Sequence, residues 1–199
     1  MTYVVSATRF FLAAAVPREV ASAKARPSPG DRRVDDAMEA TLRFDVGGRM
    51  VESKLYTDMW RANVLGLIPR VWELPSIEIE TEHAVMYFYN FMMPHVYHYI
   101  TVYDKRTKKT TTEKHYTGGP KWGDRGEEWW STYRYQLEAF VDLARGKKPP
   151  HCVTPDNSIA QMETIDMVYE ASGLGRRRPT HEVLSARAAE ATVTSPSAS

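Results

Sequence analysis

A few side chains in this sequence carry residue types and spacings that chemistry uses. A phenol titrates near pH 10, so a tyrosine moves a proton when a neighbouring cation lowers that value. Tyr3 is a candidate of this kind, although its residue type alone does not separate it from the other tyrosines among 11. The loop from Gly118 to Trp130 gathers Lys121, Trp122, Arg125 and Trp129. Rings stack on the apolar faces of sugars and charged donors bind their hydroxyls, so this loop suits sugar recognition. The tryptophans would equally serve to staple the loop to a sheet. His95 and His98 have the spacing of a metal pair, but Pro94 precedes them in a strand-like context, where positions i and i+3 point to opposite faces. A convergent ligand set is therefore not expected, and no metal site is assigned. His151 and Cys152 are adjacent, diverge in an extended segment and lack a third orienting group, so Cys152 is expected to be a buried structural cysteine. The chain holds neither Gly-x-Gly-x-x-Gly nor Gly-x-x-x-x-Gly-Lys-Ser/Thr, and Gly118-Gly119 opens a loop rather than a helix. No cofactor-binding residues are expected in it.

Composition bounds the setting of these groups. The 199 residues are 43% hydrophobic, enough for a real core, and 26 basic side chains face 25 acidic ones for a net charge of +1. That balance leaves no basic field for nucleic acid. The single cysteine excludes an internal disulfide framework and a multi-cysteine zinc site. The apolar run Phe10 to Val16 imitates a secretory signal, but Pro17, Arg18 and Glu19 separate it from the small residues that follow. It is also far shorter than the about 20 residues that cross a bilayer. A cytoplasmic protein without a membrane partner is the expectation.

Periodicity supplies the elements that must position the candidates. Thr2 to about Ala14 reads as a helix, with Thr2 as N-cap and almost no polar face, so it needs cover on all sides. Val20 to Ala25 is a short strand. Met38, Ala40, Leu42 and Phe44 alternate with polar residues, and Gly47-Gly48 turns the chain into a returning strand from Met50 to Met59. After a long Pro-containing connection, strands are expected at Ile77–Thr81, Ala84–Phe91, His95–Tyr103 and Thr110–Thr117, with Lys105 to Lys109 as a hairpin tip. Ser131 opens a helix that Gly146 ends. Thr154-Pro155 opens another, with Ile159, Met162, Ile165, Val168 and Tyr169 as its apolar stripe. The order predicts an α+β domain over residues 1–174, an open, predominantly antiparallel β-sheet with helices packed on one face. Residues 175–199 read as a flexible tail.

Three segments, in this order, are similar to a known family. They are Tyr3-Val4-Val5-Ser6-Ala7-Thr8-Arg9-Phe10 with Pro17-Arg18-Glu19-Val20; Val34-Asp35-Asp36-Ala37-Met38; and Tyr133 to Phe140 through Gly146-Lys147-Lys148-Pro149, Asp156-Asn157-Ser158 and Ile165 to Leu174. Over residues 2 to 174 the chain resembles the C-terminal domain of Gfo/Idh/MocA oxidoreductases, closest to fungal NADP-dependent D-xylose 1-dehydrogenase and dihydrodiol dehydrogenase-like proteins. The resemblance implies a domain that binds substrate, forms one wall of an active site and makes a homodimer through its open sheet face. An Asp-x-Gly-x-Tyr (or His) element supplies this family's acid/base residue. Tyr3 falls on its tyrosine, while the Asp and Gly are absent before Met1. The Rossmann domain, which would bind NADP and cover the first helix, is expected to be missing. The resemblance thus implies the substrate-binding and dimerisation half of an NADP-dependent sugar dehydrogenase, inactive alone. In the complete enzyme hydride passes between nicotinamide and the sugar C1, Tyr3 acts as catalytic residue, and Lys121, Trp122 and Arg125 bind substrate. The alternatives are a non-catalytic dimerisation or sugar-binding module, and a degraded remnant.

Overall fold

Among the described residues of the computed structural model the named elements are the helices α1 (Thr2–Leu12), α2 (Thr132–Ala144) and α3 (Pro155–Ala171) and seven strands. It describes residues 1–117, 122–176 and 185. These elements fall into two units, one formed by Met1–Trp60 with α3, the other by the described residues of Arg61–Thr154.

In the first unit β1 (Glu19–Pro27), β2 (Asp35–Val46) and β3 (Arg49–Asp58) form an antiparallel sheet in that order. Gly47 and Gly48 both take positive φ, 60° and 81°, as a two-residue hairpin turn with matching twist requires. Met38, Ala40, Leu42 and Phe44 alternate along β2 and are buried. They meet Val5 of α1 and Ile165 and Val168 of α3, which pack on that face. Burying each of the larger side chains stabilises the fold by about 1.5–3 kcal/mol. The opposite face carries charge: Glu19, Arg43 and Glu52 lie in register across the three strands, and Arg43 pairs with both carboxylates.

Two helix expectations change. Thr2 is the first helical residue rather than the cap, because the cap position falls on Met1, which makes no side-chain bond there. In α3 the buried stripe is Ala160, Gln161, Thr164, Ile165 and Val168, while Ile159 and Met162 are exposed. The stripe is rotated because buried polar residues find partners: Thr164 Oγ1 donates to the Ala160 carbonyl at 2.8 Å, and Gln161 bonds to α1.

The second unit is an antiparallel meander of β4 (Ser76–Glu80), β5 (Ala84–Tyr89), β6 (Tyr99–Asp104) and β7 (Thr110–Glu113). The strands thus form two sheets rather than one, both antiparallel, and the α+β class stands. The expected strand start at His95 moves to Tyr99. Asn90, fully buried with φ 56°, donates through Nδ2 to the carbonyls of Met93 (3.0 Å) and Tyr97 (2.7 Å) and folds residues 90–98 into turns. Local side-chain bonding to the backbone here overrides β propensity. The hairpin tip is where the charge run placed it, with the Asp104 carboxylate accepting from the Arg106 and Thr107 amides. Ser131 caps α2 by accepting from the Arg134 amide, and Gly146 at φ 70° follows its end. Most of the expected tail lies outside the described residues. Among the described residues no helix is long and apolar enough to cross a membrane.

Candidate functional site

The candidate residues divide between the two units. Tyr3 sits in the first turn of α1 and is 58% exposed, in the unit built on β1–β3. Lys121 lies outside the described residues. Trp122 and Arg125 belong to the unit built on β4–β7, where the structure brings them together.

There Tyr135, projecting from α2, is the centre of an aromatic cluster. Trp122, Trp130 and Tyr116 pack edge-on against it, at centroid distances of 5.0, 5.3 and 5.8 Å. Arg125 lies over the Trp122 ring at 5.2 Å and donates from both terminal nitrogens to Asp142 Oδ2, at 3.0 Å each. Arg134 covers Trp130 in the same way and pairs with Glu138. Trp122 therefore fixes the loop to α2, whereas Trp129 leaves its indole open to solvent. A fixed guanidinium beside an indole and a second exposed indole offer donors and a stacking surface to a polyhydroxylated ligand.

The phenols at the centre of this cluster hold their protons. Burial, reinforced by Tyr135, pushes the Tyr116 pKa up to about 12, and burial and Glu127 raise that of Tyr135. Tyr116 donates to the Trp130 carbonyl, while the Tyr135 hydroxyl is buried with no partner among the described residues. These groups act as hydrogen-bond donors at neutral pH and not as bases.

His95 and His98 are not strand residues, so strand alternation does not separate them. Both sit in or beside the 90–98 turns and both pack on the Tyr116 ring, at 6.3 and 6.1 Å. His98 Nδ1 donates to the Pro94 carbonyl at 2.7 Å, and among the described residues its buried Nε2 and the buried Nδ1 of His95 have no partner. No group of three or more metal-ligating side chains occurs among the described residues. Cys152 is exposed rather than buried, because residues 151–154 run as an extended segment between α2 and α3 with no element covering them.

Sequence reasoning missed Arg9, which is buried in α1, and the central place of Tyr135. A hydropathy pattern treats an arginine as outward. The recurrence of aromatics at 129, 130, 133 and 135 was the available signal for the cluster.

The sequence matches no family profile and no curated protein. Its fold is similar to those of solved oxidoreductase structures. One, an oxidoreductase from Agrobacterium radiobacter solved with NAD+, L-tartaric acid and magnesium, is 15% identical and superposes with a TM-score of 0.51 over 85% of this chain and 44% of that one. A candidate oxidoreductase from Bacteroides fragilis is 12% identical, with a TM-score of 0.50 over 86% of this chain and 47% of that one. The chain spans less than half the length of either. At these identities the likeness establishes the fold, one that occurs in oxidoreductases.

The first of these structures holds a nicotinamide dinucleotide, NAD+. Its usual cradle is a parallel strand, a glycine-rich turn and a helix N-terminus. Every strand pairing among the described residues is antiparallel, so they contain no parallel strand pair of that kind. The described residues do not fit the dinucleotide.

Proposed function

We propose that this chain is the substrate-binding and dimerisation half of an NADP-dependent sugar dehydrogenase of the D-xylose type, whose nucleotide is held by a separate Rossmann module. The observation that supports this most is a fold shared with oxidoreductases about twice as long, with sheets that are antiparallel throughout the described residues. In this reading Tyr3 exchanges the proton of the reacting sugar hydroxyl, and the half-exposed position of its side chain at the start of α1 leaves the phenol open to a ligand. Lys121, Trp122 and Arg125 bind the sugar, with the Arg125–Asp142 pair holding the guanidinium steady at the loop. The reaction class is oxidation at the anomeric carbon.

The dimer is assigned to the open sheet of the second unit. The register puts Tyr87, Tyr89, Tyr99, Thr101 and Tyr103 on one face, with Tyr89 and Tyr99 stacked at 4.9 Å. Glu78 lies on the β4 side of that face, and Lys114, over the Tyr97 ring at 4.9 Å, follows β7 on the other side. A two-fold axis through the tyrosines would bring unlike charges together.

Titrating NADPH into the purified chain while following the fluorescence of its five tryptophans tests the division of labour. A folded chain that shows no saturable change is the expected result. Saturable micromolar binding would sink the reading, since the chain would then possess a nucleotide site of its own.

A further inference from the structure

Arg9 is buried, 5% exposed, and among the described residues it meets no carboxylate. Its Nε donates to the Ala15 carbonyl just past the end of α1. Its Nη1 donates to the Asn157 carbonyl at 3.0 Å and to Gln161 Oε1 at 2.9 Å, with Asn157 Oδ1 at 3.5 Å. A guanidinium is a pure donor, so it sets the orientation of the Gln161 amide: Oε1 must face Arg9, and the NH2 group must point the other way. That NH2 group donates to the carbonyl of Thr2 at 2.7 Å, the residue before Tyr3. The first turn of α1 has neither a side-chain cap nor an acidic residue, the two devices that ordinarily hold a helix start. Gln161 instead ties the Thr2 carbonyl of that turn to α3, and Arg9 dictates which way its amide points.

We propose that Arg9 and Gln161 are positioning residues for Tyr3: together they pin the first turn of α1 to α3 and so fix the backbone from which the phenol is presented. This rests on the reading of Tyr3 as the proton-transfer residue. A structural filler at position 161 would be served by an apolar side chain without desolvating an amide and a cation. A relay that ends on the carbonyl beside Tyr3 needs both polar ends of the glutamine.

The two ends are separable by mutation. Gln161→Glu keeps the acceptor for Arg9 and adds opposite charge, but removes the donor to Thr2; Gln161→Met removes both. The readouts are amide hydrogen exchange at Val5 and Ser6, taken relative to exchange at Leu42 in the core strand, and the 19F line of Tyr3 in the fluorotyrosine-labelled chain, assigned by its loss in Tyr3→Phe. Loss of the anchor is expected to speed exchange at Val5 and Ser6 relative to Leu42 by about tenfold, the equivalent of one hydrogen bond, and to shift the Tyr3 line, in Gln161→Glu as in Gln161→Met. An unmoved ratio and line in Gln161→Glu overturn the proposal, as does a loss of protection shared equally by Leu42, which would mark Gln161 as ordinary packing. If Tyr3→Phe leaves kcat of the completed enzyme unchanged, the acid/base reading fails whatever the exchange result; the two failures are distinct.

Discussion

Gly126 shows how much one residue can constrain the aromatic cluster. Its φ is +115°, a region that side chains disfavour, and a Cβ there would overlap the Tyr135 hydroxyl. Gly126→Ala therefore meets backbone strain and overpacking together, and is expected to cost about 2–4 kcal/mol by denaturant unfolding. A change below 0.5 kcal/mol, about the size of a surface substitution, would mean that Tyr135 is free to move. Asp58 constrains the other unit. Burial opposes its charge, but two N–H groups of Arg26, the Tyr56 hydroxyl and the Trp60 amide outweigh burial and hold its pKa below the usual carboxylate range. The folded value lies below the unfolded one, so this contribution is complete above about pH 4 and is lost as pH falls further toward the folded value. Asp58→Asn should lower Tm at pH 7 and bring the variant and parent curves together in acid. Parallel curves down to pH 2 would contradict the assignment. At this scale the sequence was least legible: Arg9, Asn90 and Gln161 are polar letters whose burial depends on partners 3 to 159 residues away.

At the scale of elements the sequence was most legible, because period-two alternation along β2 and the glycine pair after it leave one workable register. The strand onset at Tyr99 and the rotation of α3 were not legible, since both follow from buried polar groups and not from apolar spacing. The helix α1 illustrates both sides. Its apolar residues predicted a need for cover, and the structure buries Val5 while Tyr3, Phe10 and Phe11 stay exposed, the two phenylalanines in edge-to-face contact at 5.4 Å. Exposed apolar surface of this kind promotes association. Replacing Phe10 and Phe11 with Ser should therefore raise the solubility of the isolated chain, as read by light scattering against concentration. Unchanged aggregation would show that this face of α1 is not what makes the chain associate.

For the whole molecule, the α+β class and the antiparallel pairing followed from the order of elements, while the division of the strands into two sheets did not, since the long connection between Asp58 and Ser76 carries no periodicity. The proposed dimer makes a prediction at this scale. Tyr99, stacked on Tyr89 and flanked by Tyr87 and Tyr97, is central to the sheet face, and Tyr99→Glu would place a carboxylate at the two-fold axis. Light scattering should give a dimer for the parent chain and a monomer for this variant; a parent that is monomeric at any concentration, or a dimeric variant, would remove the tyrosine face from the account. The claim that the chain is the sugar-binding half of a dehydrogenase is tested most directly by 1H–15N spectra of the folded chain titrated with D-xylose. Saturable shifts at the Trp122 indole are the predicted result, and a Trp122 indole unmoved up to saturating sugar would contradict it.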